Sequence, residues 1–306
     1  MGTPDFAVPS LEFLIYSSHD LLCVITQPDR VRGRGRKKMS PPVKVTALEA
    51  GIKVLQPEKV NDEEVINILN ELEPDIIIVV AYGQILSENI LSIPKKGCIN
   101  VHASLLPKYR GAAPIQWAII NGEKETGITT MLMDKGMDTG DILLQGKVEI
   151  LPGETAGSLH DKLSILGANI LKQTIEQIEH GGLKPIKQDH TKATYAPMLK
   201  KTDGLIKWDK EADDIHNLVR GTNPWPGSYT FLNRRQLKIH KTEVYDSNAC
   251  KGEPGQILSF EKDKGILVSC KRGVILISSV QPPGKREMNA WDYVLGYPVN
   301  IGSNFS

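Results

Sequence analysis

Through the first half of the chain, short apolar runs alternate with segments of helical periodicity. "LLCVITQPD" (21–29), "DIIIVVAYG" (75–83), "GCINVHAS" (97–104) and "GITTMLMD" (127–134) have the length and composition of strands. The second is continuously apolar, as a strand covered on both faces should be. Between them, "NDEEVINILNEL" predicts a helix with Asn61 as N-cap and Glu64 three residues on. Leu159, Leu163, Leu166, Ile170 and Ile178 keep a helical stripe as far as Gly181 and Gly182, which predict its stop. Strand and helix repeated in this order predict an α/β domain, a doubly wound and mostly parallel sheet with helices on both faces. Ligands of such sheets bind beyond the carboxyl ends of the strands.

The pattern changes near residue 183. "GGLKPIKQDHTKATYAPMLKKTDG" is polar, punctuated by Pro and Gly and without sustained periodicity, and reads as an interdomain connection. One helical segment follows, "KEADDIHNLVRG". After it come "SYTFL", "QLKIHKTEVYD", "GQILSF", "GILVSC" and "GVILISSVQ", short strands set apart by turn residues, which suit a small barrel or sandwich. The expected divisions are therefore 1–182, a linker over 183–203, and 204–306, in line with a 306-residue length that is long for one core. The opening "MGTPDFAVPSLEFL" is irregular, because a Gly/Pro turn enters a helix with no apolar strand before it. Such a turn normally follows the central first strand. The expectation is that the recorded start lies several residues inside the natural one.

Composition narrows the class of protein. No apolar run approaches the roughly 18 to 20 residues of a membrane span, and no signal peptide opens the chain, so a cytosolic protein is expected. Cys23, Cys98, Cys250 and Cys270 are widely scattered with no C-x-x-C pair, which predicts neither a disulfide framework nor a metal site but four small buried hydrophobes. A net charge of +1 argues against broad nonspecific binding to nucleic acid. A local exception is "QPDRVRGRGRKK" (27–38), where six of the nine positions from Arg30 to Lys38 are basic. A solvated loop is the plain reading of such a run; the competing one is an arginine-rich arm that wraps an RNA backbone.

The usual signatures of dinucleotide binding, P-loops, zincins and hydrolase elbows are absent from the sequence. The chemistry must be sought elsewhere. In "CINVHASLLPKYRG" (98–111), strand alternation places Asn100 and His102 on one face at a carboxyl strand end, next to a rigid turn. A histidine there can simply be a hydrogen-bonded core residue. An amide and an imidazole on one face can also donate to an oxygen that becomes negative during acyl transfer. A second segment, "MDKGMDTGDILLQ" (133–145), holds two Gly and three Asp after another predicted strand. Taken alone it reads as an Asx/Gly turn; if one of its carboxylates reached His102, the three residues would form an acid/base unit.

Together these segments resemble a known family. "GTPDFAVPSLE", "TQPDRVRGRGRKKMSPPVK", "VVAYGQIL", "GCINVHASLLPKYRGAAPIQWAI", "TGITTMLMDKGMDTGDIL", "NPWPGSYT" and "QPPGKREM" look like the methionyl-tRNA formyltransferases in order and spacing, over nearly the whole chain. "NVHASLLP" with "MDTGD" is shared by 10-formyltetrahydrofolate-dependent formyltransferases in general; the basic loop and "NPWP" point to the tRNA enzymes. The resemblance implies a Rossmann-like catalytic domain, a C-terminal OB-like β-barrel that supports tRNA, and formyl transfer from 10-formyltetrahydrofolate to initiator methionyl-tRNA by a metal-free monomer. It puts the catalytic roles on Asn100, His102 and Asp138, rather than Asp134 or Asp141. It puts the folate pocket on Ser104, Leu105, Leu106 and Pro107 and on Gly83, Gln84, Ile85 and Leu86. RNA contact falls to Arg32, Arg34, Arg36, Lys37 and Lys38. The plain reading of the C-terminal barrel is that it covers an interface; "NPWP" and basic residues such as Lys238, His240, Lys241, Lys285 and Arg286 favour one that supports tRNA, and Trp225, between prolines, reads as a packed anchor rather than a base-stacking platform. The family begins with a strand of about five to six residues that this sequence lacks, and Arg32 and Lys38 stand where it more often has small or apolar residues. The rival readings are a formyltransferase for a small amine (glycinamide ribonucleotide or an amino sugar), a noncatalytic RNA binder, and a hydrolase passing formyl to water.

Overall fold

The opening turn runs into α1 (Val8–Ile15), whose first turn carries Pro9, tolerated there because its missing N–H would have no helical partner. The computed structural model describes residues 1–32 and 37–306. The first unit comprises Met1–Pro114, Glu125–Val148 and His160–Ala196. After α1 come β1 (Val24–Ile25), β2 (Arg30–Arg32), β3 (Lys37–Met39), α2 (Pro42–Glu49) and β4 (Val54–Leu55), with β4 parallel to β1 and β2 antiparallel to β3. Then follow α3 (Glu63–Leu72), β5 (Ile77–Val79), α4 (Glu88–Leu91), β6 (Cys98–His102), α5 (Pro114–Ile120), β7 (Glu125–Leu132), β8 (Ile142–Glu149) and α6 (Ala156–Glu179). Four strands form a sheet in the order β5-β6-β7-β8. Ile25, Val65, Leu69, Ile77, Val79, Ile90 and Cys98 pack as one apolar core, which is why the β5 segment is apolar without interruption.

The sheet is parallel only in part. β5 and β6 are parallel, but β7 runs antiparallel to β6, with His102 opposite Thr129 and Ile99 opposite Leu132. The loop after β7 therefore leaves at the amino end of β6 and must fold back to reach its carboxyl end. Met1 and Gly2 stand between the two parallel pairs. Gly2 N donates to Ile25 O at 3.0 Å, and Val80 N donates to Met1 O at 2.9 Å. The Met1 amine is buried against Ile78 O at 2.5 Å, and burial lowers its pKa to about 6. A cavity of about 570 Å³ lies beside it, walled by Ser10, Leu11, Cys23, Ile77 and Ile175 among others.

Other expectations are corrected locally. α3 starts after Asp62, and Asn61 instead uses its side chain across the chain, donating to Ile85 O at 2.9 Å and accepting from Ser87 N at 2.8 Å. Cys98 and Cys270 are buried as expected, Cys23 is half-buried, and Cys250 is exposed.

The second unit comprises Ile115–Lys124, Glu149–Leu159 and Pro197–Ser306. α7 (Ala212–Gly221) packs against β10 (Arg235–Asp246), beside β9 (Ser228–Leu232). With β11 (Ile257–Glu261), β12 (Gly265–Ser269) and β13 (Val274–Gln281) these strands form an antiparallel sheet in the order β11-β12-β13-β10-β9, and β14 (Met288–Asn289) pairs with β13 ahead of α8 (Ala290–Gly296). Its core is Trp208, Ile215, Val219, Leu237, Ile239, Ile266, Val268, Ile275 and Ile277. β9 alternates in burial with period two, its small Ser228 and Thr230 going inward with Leu232 while Tyr229 and Phe231 stay half-buried. Trp225, expected as a packed anchor, is 50% exposed. Among the described residues no helix is long and apolar enough to cross a membrane.

Candidate active site

β6 buries Cys98, Ile99 and Val101 and turns Asn100 and His102 to the same face. His102 is 6% exposed. Its Nε2 stands 3.0 Å from the Tyr109 carbonyl, which can only accept, so Nε2 carries a proton and Nδ1 is the nitrogen left for chemistry. Nδ1 lies 3.6 Å from Asp138 Oδ1, and Asn100 Nδ2 lies 3.4 Å from the same oxygen. The second carboxylate oxygen, Oδ2, accepts from Gly111 N at 2.8 Å.

Asp138 reaches the site because the 133–141 loop folds back along β6. Leu132 N donates to Asp141 O at 2.9 Å and Met133 N to Cys98 O at 2.8 Å, so both ends of the loop are tied to strands. Gly140 makes the close return possible: a Cβ there would stand 1.7 Å from Leu132 O. Asp134 is used up within the loop, accepting from Gly136 N at 3.0 Å and Thr139 Oγ1 at 2.6 Å. Asp138 itself has φ +53°, a conformation uncommon for a residue with a side chain.

The "SLLP" turn after β6 is held by two residues that sequence reading did not single out. Thr129 Oγ1 donates to Ser104 O at 2.7 Å and accepts from Leu106 N at 3.1 Å, while Gln145 Nε2 donates to Leu106 O and to Thr129 Oγ1, both at 2.9 Å. The eight expected folate residues divide by exposure. Ser104, Leu106 and Leu86 are buried, and Gln84 bridges backbone, accepting from Val60 N at 2.8 Å and donating to Glu58 O at 3.2 Å. Gly83 and Ile85 are exposed, and Leu105 and Pro107 are half-buried.

The segment expected as a linker over 183–203 is part of the site for much of its length. Ile186 pairs with Ile142, and Tyr195 with Arg110. Arg110 N donates to Thr194 O at 2.9 Å, Ala196 N to Arg110 O at 2.7 Å, and Tyr109 N to Thr194 Oγ1 at 2.9 Å. Gln188, 6% exposed, donates to the carbonyls of Asp138 and Gly140 at 2.9 and 2.7 Å. No periodicity marks these residues; the only signals were isolated polar side chains in a polar stretch.

At the edge of this unit, β2 and β3 pair as a hairpin in which Arg32 stands opposite Lys37 and Val31 opposite Lys38. Lys38 is exposed, and Arg34 and Arg36 lie outside the described residues. Asp29 anchors the root of the hairpin: it accepts from Gln56 Nε2 at 2.8 Å and pairs with Lys44 at 2.9 Å, which together hold its carboxyl below the usual range. In the second unit Lys238, Lys241, Lys285 and Arg286 are exposed, and the half-buried His240 faces Glu287 at 3.8 Å.

Comparisons with known proteins give the family. A family model described as formyl transferase matches residues 1–175, and one described as formyl transferase, C-terminal domain, matches residues 198–298. The chain is 52% identical over 302 residues to the methionyl-tRNA formyltransferase of Acetivibrio thermocellus, an alignment covering 99% of this chain and 97% of that one. To the methionyl-tRNA formyltransferase of Geobacter metallireducens it is 53% identical over 302 residues, with 99% and 96% covered. A sugar 3N-formyl transferase solved in the presence of dTDP and 5-N-formyl-THF superposes at a TM-score of 0.67 and 25% identity, over 93% of this chain and 97% of that one. An N-formyltransferase from Helicobacter canadensis, complexed with folinic acid and dTDP-3-aminofucose, gives a TM-score of 0.67 at 23% identity over 90% and 96%, a likeness of fold.

Proposed function

The chain belongs to the formyl transferase family, and on that footing we propose that it transfers the formyl group of 10-formyltetrahydrofolate to the amino group of methionine carried by initiator tRNA. The observation that carries this reading is the convergence of Asn100 and His102, from one strand, with Asp138 from a loop 36 residues beyond His102. Its support for a tRNA substrate is the identity of about half of all positions, over nearly full length, to enzymes of that name.

The reaction joins the neutral methionyl nitrogen to the formyl carbon and breaks the bond from that carbon to the folate nitrogen. One proton leaves the attacking nitrogen and one arrives at the departing nitrogen. Between these events the former carbonyl oxygen is negative and needs donors already in place. Asn100 Nδ2 supplies one. His102 supplies the other as the imidazolium, through Nδ1–H, because Nε2–H is committed to the Tyr109 carbonyl. At 3.6 Å, Asp138 is too far from Nδ1 to saturate it, so the carboxylate orients the ring while leaving Nδ1 free to turn to substrate and to move the proton between the two nitrogens.

On the folate side, Gly83, Ile85, Leu105 and Pro107 present surface, whereas Gln84, Leu86, Ser104 and Leu106 hold that surface in shape. Arg32, Arg34, Arg36, Lys37 and Lys38 meet the acceptor end of the RNA, and Lys238, Lys241, Lys285 and Arg286 are the basic residues that the second unit offers to it. A formylation assay tests the reading, with 10-formyltetrahydrofolate as donor and charged initiator tRNA, charged elongator tRNA, free methionine, an amino sugar nucleotide and water as acceptors. Preference for charged initiator tRNA is the expected result. Equal turnover of free methionine, or a preference for the amino sugar or for water, would overturn it.

A further inference from the structure

We propose that Gln188 and Arg110 are positioning residues for the reaction, a buried clamp that sets the carboxylate of Asp138 against His102 and Asn100. The proposal rests on the catalytic reading of Asp138 given above. Its basis is a chain of hydrogen bonds in which every donor and acceptor is accounted for at one amide. Arg110 is 2% exposed and directs Nε and Nη2 at Gln188 Oε1, at 3.2 and 2.6 Å. Gln188 Nε2 spends its two N–H groups on the carbonyls of Asp138 and Gly140. A guanidinium only donates and a carbonyl only accepts, so the residue linking them must accept at one atom and donate at another. An amide does this without bringing a charge into the interior, and a glutamine spans the gap. Arg110 Nη2 also stands 3.1 Å from His190 Nδ1, which is therefore the unprotonated nitrogen of that ring.

The clamp acts where the backbone most needs holding. Asp138 adopts φ +53°, a conformation uncommon for a residue with a side chain, which persists only where its surroundings hold it. Gln188 holds the carbonyl of this residue, and Gly111 N holds its carboxylate. Three consecutive residues thus govern both partners of the acid/base pair. Tyr109 offers its carbonyl to His102 Nε2, Arg110 reaches Asp138 through Gln188, and Gly111 binds Asp138 Oδ2 directly. The 109–111 turn bonds to the histidine and the aspartate at once, so their separation is set from one place.

The test compares Gln188→Leu, which keeps volume and removes the amide, with Asp138→Asn and the double variant. Gln188→Leu should lower kcat about 10- to 100-fold, the scale of a misplacement near 1 Å, with KM for folate and for charged tRNA changed less than about 2-fold. In the Asp138→Asn background the same change should cost less than about 2-fold more, because its effect runs through Asp138. A full additional loss there, or a folded Gln188→Leu with unchanged kcat, would overturn the clamp. Should Gln188→Leu fail to fold, Arg110→Lys serves: lysine keeps the charge but cannot fork onto Oε1, and a smaller kcat loss with the same non-additivity is expected; additivity or no loss overturns the clamp here too. An Asp138→Asn enzyme with undiminished turnover would instead sink the catalytic reading itself.

Discussion

Two stretches meet at the candidate site and are built in opposite ways. In the stretch from Cys98 to Gly111, the strand β6 lies in the middle of the sheet, bonded to β5 on one side and β7 on the other, and it supplies Asn100 and His102. The return stretch from Ile186 to Ala196 is mostly exposed and contains no regular structure beyond a short 3-10 turn at His190–Lys192. It contributes no group to the proposed chemistry, yet it carries the hydrogen bonds that fix Tyr109, Arg110 and the Asp138 loop. Reacting groups need a rigid element under them, because donors must stand where charge will develop. Supporting groups need only satisfied backbone partners, and an irregular segment docked by its own N–H and C=O groups provides those.

The largest effect expected from this division falls on the first stretch. Asn100→Ala and His102→Ala should each lower turnover about 10²- to 10³-fold while folate still binds, the usual loss on removing one oxyanion donor. Steady-state kinetics and folate fluorescence titration measure the two halves of that statement. If either purified variant kept near-normal turnover, the strand end would be support like the return stretch, and the contrast would disappear.

That division also explains what could be read from the amino acids. The strand end was legible because alternation on a buried strand places positions 100 and 102 on one face, a period-2 signal that needs no partner. The α/β then antiparallel order was legible from the same periodicities, and α6 ended at the glycines that predicted it. The reversed direction of β7 was not, since a strand's own pattern does not say which way its neighbour runs. Asp138 is one of three aspartates in its loop, and only resemblance to a family separated it from Asp134 and Asp141. The structure gives the physical reason: Asp134 satisfies Gly136 and Thr139 within its own turn, whereas Asp138 meets Gly111 from a distant segment. Gln188 was invisible because its role depends wholly on Arg110 and the Asp138 loop, neither of which is near it in sequence. Asn61 misled for the same reason, its side chain being taken by Ile85 and Ser87.

The seam between the two stretches gives the next effect. Gly111 has φ +114°, and a Cβ there would stand 2.9 Å from the Ala196 carbonyl. Gly111→Ala should therefore destabilise the protein by about 1–3 kcal/mol, the cost of a side chain in a region reserved for glycine. It should also weaken the donation to Asp138. Urea midpoints report the first and kcat the second. A variant as stable as the parent would mean that the return stretch yields to the turn rather than fixing it.

The smallest effect belongs to Thr194, on the supporting side. Its backbone pairs with Pro107 and Arg110, and only its hydroxyl oxygen serves Tyr109 N. Thr194→Val keeps the shape and both backbone pairings and removes that single acceptor. A buried N–H left without any partner costs about 1–3 kcal/mol, but Thr194 is exposed, so water can approach the vacated acceptor position. The expected loss is accordingly near the net worth of one hydrogen bond, about 0.5–1.5 kcal/mol, seen as a shift of a few degrees in thermal midpoint. Turnover should change less than about 2-fold, since the Tyr109 carbonyl that holds His102 is on the far side of the residue from the lost bond. A tenfold fall in kcat without loss of stability would show that the return stretch tunes the chemistry residue by residue instead of bracing it as a whole.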